Sequence, residues 1–473
     1  MWGKVNGVVT LSLVLSSCFL QVSAEPVPPD PDQAIGRSLS IIRSATAEKP
    51  QVLKILFYGQ SISSPAWTDP AIAALRVKYP NVAFVYRNLA LGGWSAVLLE
   101  QAVARDVEEV YPDLIVFHVY GDHRAYERII RTLRSKTAAD IIIQTDHVVN
   151  PLEPVCDTGF HLQWSPPEGC TGHFWFKQKS WEEFMSSVWK PAMAAKYDLA
   201  LEPRRQRWNA YLQENNLQIA DLLADPPHPN AEGWALMANL FTSWIEELVD
   251  HSQNNGRNTS DQVRSFTAPV PGEKTRYEFY GNRAELIAAG PLDGKVNLTI
   301  DGKPPRELDG CWQTSRVTGL PNVPEWPALK KVDVRQSYRE EDVWTLRVRN
   351  LDTSQESFDF DVESARTGAE GSGSGKDVFK SRSGNVTLQP DAWNFSYAKL
   401  ISGKGLADEQ SFQWERRFVC GDEPPTALAN GSVQQRHVLG TGLPNAHHVI
   451  ELTVPSDTPA ILELRAYRPP LVE

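Results

Sequence analysis

Four short apolar runs alternate with helix-period segments between residues 52 and 145, and that alternation leaves few architectures open. The runs fall at 52–58, 82–86, 114–120 and 140–145, with helical spacing near 69–79, 95–109 and 124–136. Each run is rich in β-branched and aromatic residues and short, as strands covered on both faces are. A strand that crosses through a helix returns parallel to its neighbour, so the pattern predicts βαβ units and a parallel sheet. Helical spacing returns at about 203–214 and at 231–248. In the latter, Trp234, Met237, Phe241, Trp244 and Leu248 offer one face to that sheet.

The first run leads into Leu53-Lys-Ile-Leu-Phe-Tyr-Gly-Gln-Ser-Ile-Ser63. Gly59 suits a sharp turn off the strand, which sets Ser61 at a strand's carboxyl end, the rim where open α/β sheets bind ligands. A hydroxyl there becomes a nucleophile if a base reaches it, although a serine that merely caps the next turn fits the same residues. A candidate base follows far along the chain in Asp225-Pro-Pro-His228-Pro-Asn230, just before the region's last helix. A carboxylate three residues from an imidazole, on a proline-stiffened loop, can hold one ring nitrogen while the other faces a substrate. In the competing reading, Asp225 or Asn230 caps the helix and His228 lies on the surface.

Residues 1–24 carry Lys4, an apolar stretch from Val8 to Leu15, and Val22-Ser-Ala24. This is the pattern of a secretory signal peptide with a small-x-small cleavage site. Leu15-Ser-Ser-Cys18 also fits a bacterial lipobox, in which Cys18 would carry a lipid anchor. The expected location is secreted, periplasmic or at the cell surface, and no later stretch is long and apolar enough to span a bilayer. In that setting Cys156, Cys170, Cys311 and Cys420 suit disulfides. The closest pairing is Cys156–Cys170 with Cys311–Cys420, and other pairings stay open. A net charge of −11 leaves no basic surplus for phosphates, so nucleic acid is not an expected partner.

Residues 25–49 open with Glu-Pro-Val-Pro-Pro-Asp-Pro and read as a linker ahead of the strand–helix region, 50–250. After His147 that region is interrupted by a Pro-, Trp- and Phe-rich insertion holding the first cysteine pair. Its aromatics suit a satellite core or stacking on sugar rings. A polar linker, 251–265, leads into 266–473, where short alternating strands between Gly, Pro and Asp turns predict an all-β sandwich. Within it, Gly368–Gly375 reads as a low-complexity loop.

In this order the pieces resemble the SGNH hydrolases, also called GDSL esterases, over about residues 50–248. Gly59-Gln-Ser61 stands where the family most often has Gly-Asp-Ser. Asn88-Leu-Ala-Leu-Gly-Gly93 is similar to the block whose last glycine gives an N–H to the oxyanion hole, and Asp225-Pro-Pro-His228 matches Asp-x-x-His. The resemblance implies a flavodoxin-like three-layer α/β/α domain with a parallel sheet. It also implies Ser61 as nucleophile, His228 as general base, Asp225 as its orienting carboxylate, and the Ser61 and Gly93 N–H groups as oxyanion donors.

One block departs from the family pattern. Where the family has Gly-x-Asn-Asp this chain has Gly121-Asp-His-Arg124, so His123 stands in place of the amide donor and is the candidate replacement. Asp122, Asp146 and His147 also follow strands: Asp122 is expected to face substrate, and Asp146 and His147 either to face substrate or to stand behind the groups that do, with a structural role as the equal alternative. A metal site from Asp122, His123, Asp146, His147 and His228 is the weaker reading, because adjacent residues on an extended segment point to opposite sides. Ser63 breaks the Gly-x-Ser-x-Gly pattern, which disfavours an α/β-hydrolase elbow.

The β region resembles, by strand pattern, the jelly-roll modules that accompany secreted carbohydrate esterases. Together the resemblances imply a cofactor-free carboxylic-ester hydrolase that removes O-acyl, chiefly O-acetyl, groups from a glycan. The alternatives are a glycan-binding or cell-surface homologue whose site has decayed, and a lipase or thioesterase of the same family.

Overall fold

The computed structural model describes residues 27–150, 179–251, 262–293, 296–320, 329–403 and 405–472. The leader with Cys18, the Cys156 and Cys170 pair, most of the aromatic insertion and most of the 251–265 linker lie outside the described residues.

Strands β1 (Gln51–Gly59), β2 (Val82–Asn88), β3 (Leu114–His118), β4 (Asp140–Gln144) and β5 (Ala200–Glu202) are parallel, in the order β2-β1-β3-β4-β5. The predicted sheet is therefore present with one more strand. β5 has only three residues, too few for a periodic signal.

Alternation along β1 divides the core of the parallel-sheet region into two layers. Leu53, Ile55 and Phe57 enter one core with Leu39, Trp67, Ile72, Phe241 and Trp244, while Leu56 and Tyr58 enter the other with Val107, Ile129 and Met193. The first layer is built by α1 (Pro31–Ala34), α2 (Gly36–Ser44) and α3 (Pro65–Lys78), joined later in the chain by two further helices. The second is built by α4 (Ala96–Leu99), α5 (Val103–Val110), α6 (His123–Lys136), α7 (Lys179–Phe184) and α8 (Lys190–Tyr197). The later helices of the first layer are α9 (Arg204–Glu214) and α10 (Ala231–His251). Phe57 sits edge-on to Trp67 at 5.5 Å and to Phe241 at 6.2 Å, so Phe57→Ala would cost on the order of 3–5 kcal/mol.

The linker reading of 25–49 is corrected over 31–44. Ile35, Leu39 and Ile42 recur at helical spacing and bury against the sheet, and the preceding prolines obscured that spacing. The helix expected over 95–109 is divided into α4 and α5.

The β region holds two hydrophobic cores where the sequence pattern predicts one sandwich. The first combines Leu286, Ile300, Leu439, Ile450 and Leu464, from strands on either side of residues 312–418. The second lies inside that span and combines Trp344, Phe360, Phe395, Phe412 and Trp414. Residues 312–418 thus form an inserted module, and a Cys311–Cys420 disulfide closes its base. The low-complexity stretch is corrected from loop to strand: Gly368–Ser374 pairs antiparallel with Asp359–Ser364. Its glycines leave room for aromatic rings, since a Cβ on Gly373 would stand 2.6 Å from Phe360 and 3.0 Å from Phe379.

Buried charge joins the first β core to the parallel sheet. Arg436 and Arg37 each reach Asp113 at 2.9 Å, and Lys54 reaches Glu423 at 2.9 Å. Burial alone would raise the Asp113 pKa, yet the Arg436 and Arg37 guanidiniums hold it well below the carboxylate range. Removing one partner from such a site costs about 3–5 kcal/mol.

Candidate active site

The strand order reverses at β1, whose two neighbours lie on opposite sides, and the crevice at the carboxyl ends of β1 and β3 is where doubly wound sheets bind ligands. β1 ends at Gly59, whose φ of +153° and close approach to the His118 carbonyl leave no room for a Cβ. Residues Ser61–Ser63 then form a single 3-10 turn, with Ser63 N–H donating to Gln60 O at 2.8 Å. Two bonds stabilise this turn from outside. Trp67 Nε1 donates to Ile62 O at 2.7 Å and Asn88 Nδ2 donates to Ser63 O at 2.6 Å, while the Ser64 hydroxyl caps the α3 helix that follows.

The second element comes from the chain just ahead of α10. Leu223–Asp225 and His228–Pro229 pair antiparallel around a cis Pro226–Pro227 bond. Asn230 caps α10, accepting from Gly233 N at 2.9 Å, so the capping reading holds for Asn230 while Asp225 turns to the imidazole. His228 Nδ1–H donates to Asp225 Oδ1 at 2.7 Å, and the Ser61 hydroxyl donates to His228 Nε2 at 2.9 Å. The roles follow from chemistry: a carboxylate only accepts, which puts the ring proton on Nδ1 and leaves Nε2 with a lone pair for the serine. The structure brings together the three residues named from sequence. Asp225 is exposed and His228 half-buried, with side chains 63% and 40% exposed.

Gly93 lies in the loop after β2. Trp94 N–H donates to Leu91 O at 3.1 Å, and Gly93 has φ +72° at the third position of that turn, where only glycine is unstrained. Asn88 fastens this loop to the serine turn, since its Oδ1 accepts from Ala90 N while its amide reaches Ser63.

The remaining candidates surround this rim or lie behind it. Asp122 is the N-cap of α6, accepting from Arg124 N and Ala125 N and pairing with Arg124. His123 begins α6 and is 3% exposed, its ring edge-on to Trp189 at 6.0 Å within the second core layer. For Asp146 and His147, of the readings the sequence left open, burial of both side chains fits the structural one. Asp146 accepts from His118 Nε2 at 2.8 Å, Lys190 Nζ at 2.7 Å and the Ser186 hydroxyl. Burial would raise its pKa, but the Lys190 ammonium and His118 hold it well below the usual carboxylate range. His118 is pushed down to about 4 by burial first and Lys190 second, so it donates as a neutral ring. His147 is pushed down to about 3, again chiefly by burial, and its Nε2–H donates to Pro227 O at 2.8 Å.

Sequence reasoning missed His118, Lys190, Ser186 and Asn88. Of these, only Asn88 carried a signal, as the first residue of the glycine block. Among the described residues no three or more His, Cys, Asp or Glu side chains converge on a possible ion site. No described helix is long and apolar enough to cross a membrane.

No protein-family model and no curated protein sequence matches the chain. Solved structures give matches of low similarity. A two-domain esterase (CEX) active on acetylated mannans aligns at 11% identity over 92% of this chain and 95% of that chain, with a TM-score of 0.33. The acetyl xylan esterase AlAXEase aligns at 17% identity over 41% of this chain and 100% of that chain, with a TM-score of 0.31. A catalytic mutant of Axe2, an acetylxylan esterase from Geobacillus stearothermophilus, aligns at 17% identity over 41% of this chain and 94% of that chain, also at 0.31. Scores this low carry no argument about fold or activity.

Proposed function

We propose that this chain is an SGNH-type serine esterase, with a flavodoxin-like catalytic domain and a jelly-roll-like β region, that removes O-acyl groups from carbohydrate. The observation that carries the reading is the unbroken chain Ser61–His228–Asp225 at the carboxyl end of β1. His228 takes the Ser61 proton as Oγ attacks the ester carbonyl, and Asp225 stabilises the resulting imidazolium. The tetrahedral oxyanion is held by the N–H groups of Ser61 and Gly93, each such donor worth on the order of 10²–10³ in rate. The protonated His228 then passes its proton to the leaving sugar oxygen. Water activated by the same ring clears the acyl-enzyme, so no cofactor is required.

The choice of a glycan acetate as substrate rests on the leader, which suits an exported enzyme, and on the family resemblance. The test uses purified mature protein and its Ser61→Ala variant on an aryl acetate, then acetate release from acetylated xylan or pectin against release of longer acyl chains. Equal aryl acetate rates for the two proteins would sink the esterase reading. They would favour instead a glycan-binding homologue, the second reading that His123 in place of asparagine invites. Preference for long acyl chains would move the substrate to lipid.

A further inference from the structure

The inserted module, residues 312–418, touches the loop that carries Gly93 at two points. Tyr397, on α11 (Phe395–Ser402), donates its phenol to Gly93 O at 3.2 Å, and its ring and Ala398 pack against the core that contains Leu91 and Trp94. Arg316 donates from Nη2 to Leu89 O at 2.9 Å. The same guanidinium donates from Nε to Asp106 Oδ1 at 2.9 Å, and Asp106 Oδ2 accepts from the Tyr58 hydroxyl at 3.0 Å. Tyr58 immediately precedes Gly59, so Arg316 bridges the loop to the strand end that presents Ser61.

The loop's own bonds to β1 are Leu89 N to Phe57 O and Leu91 N to Gly59 O, both at 3.0 Å. They fix its first half and leave the Gly92-Gly93 tip to the Leu91–Trp94 turn. At that tip a residue with φ +72° keeps its N–H direction only while the peptide planes on either side are held. Tyr397 holds the plane of the Gly93–Trp94 peptide through its oxygen. The module itself is restrained by the Cys311–Cys420 disulfide at its base and by Arg417 on Glu109 at 2.8 Å.

We propose that the inserted β module is a clamp on the oxyanion loop, with Tyr397 and Arg316 as positioning residues that aim the Gly93 N–H at the reacting carbonyl oxygen. This rests on the esterase reading above. Neither residue touches substrate in this scheme. Their effect falls on the transition state, where the negative charge develops, and hardly on ground-state binding.

The experiment compares wild type with Tyr397→Phe, Arg316→Lys and Ser61→Ala, measuring kcat, KM, thermal midpoint and the Ki of an arylboronic acid. That inhibitor forms an anionic tetrahedral adduct on a reactive serine. Tyr397→Phe keeps the packed ring and removes one hydrogen bond, so kcat should fall by about 3- to 10-fold with KM changed less than about twofold. The boronate Ki should rise by the same factor as kcat falls, while the thermal midpoint stays near the wild-type value. Arg316→Lys should likewise lower kcat and raise Ki by a common factor. With Ser61→Ala inactive, wild-type kcat and Ki in both clamp variants would overturn the clamp while the esterase stands. A lowered thermal midpoint with kcat and Ki unchanged would also overturn it, because the contacts would then be docking alone. Full activity in Ser61→Ala would instead remove the reading beneath it.

Discussion

His147 reaches across from the end of β4 and donates through Nε2 to the carbonyl oxygen of Pro227 at 2.8 Å, one residue ahead of His228. The ring is fully buried and tilted against Trp208 at 5.2 Å, so the loop bearing the imidazole is fixed from inside the protein. His147→Ala should therefore leave the Pro227 carbonyl unpaired and destabilise the fold by about 1–3 kcal/mol. It should also lower kcat by roughly 10- to 100-fold with little change in KM, since a misplaced base harms the transition state more than binding. His147→Gln can still donate an N–H and should recover part of the loss. Steady-state kinetics with denaturant melts on both variants check this, and an unaltered kcat in the alanine variant would remove the positioning role.

Asp225 sets the tautomer of His228 through the 2.7 Å bond to Nδ1. Asp225→Asn presents an amide that can donate to that nitrogen and favours the wrong tautomer, so kcat should drop on the order of 10²–10⁴-fold at nearly constant KM. A rise in KM alone would contradict this.

His123 packs beside Trp189 rather than on the solvent side of the rim. If the oxyanion hole is built from the Ser61 and Gly93 N–H groups, His123→Ala should lower the thermal midpoint and leave kcat within about tenfold of wild type, well short of the 10²–10³ loss expected for an oxyanion donor. A loss of that larger size, restored by His123→Asn, would return the ring to the oxyanion site.

Glu182 has its carboxyl pushed up to about 8, by burial first and the Asp146 charge second, while its unfolded value is near 4.5. Between those values the folded protein holds a proton that the unfolded chain has released. The group's contribution is fully present below pH 4.5 and is lost as pH rises through about 8. Glu182→Gln keeps the shape and removes the titration. The variant should gain stability relative to wild type on going from about pH 5 to about pH 8.5, read from denaturant midpoints at both values. A difference independent of pH would refute the assignment.

Local signals carried most of the candidate site. An apolar run ending at Gly59 locates Ser61 at a strand end, and the three-residue spacing of Asp225 and His228 on prolines suffices to pair them. Elsewhere the pattern was silent or ambiguous. The spacing of Ile35, Leu39 and Ile42 was hidden behind prolines, and the aromatic strands of the two β cores are alike in composition, so one sandwich and two cannot be told apart from periodicity. The partners of Asp146 come from β3, the segment between α7 and α8, and α8, which share no motif.

The first four strands of the parallel sheet and the helices between them, the glycine turns and the residue types capable of acyl chemistry were written into short stretches of chain, because backbone sterics and side-chain chemistry act over a few residues. That Ser61 meets a histidine 167 positions away, that Asp146 and His147 are enclosed as supports, and that an inserted module grips the Gly93 loop were decided by packing. Burial and distance are properties of the folded chain, and the hydrogen bonds and pKa shifts at this rim follow from them.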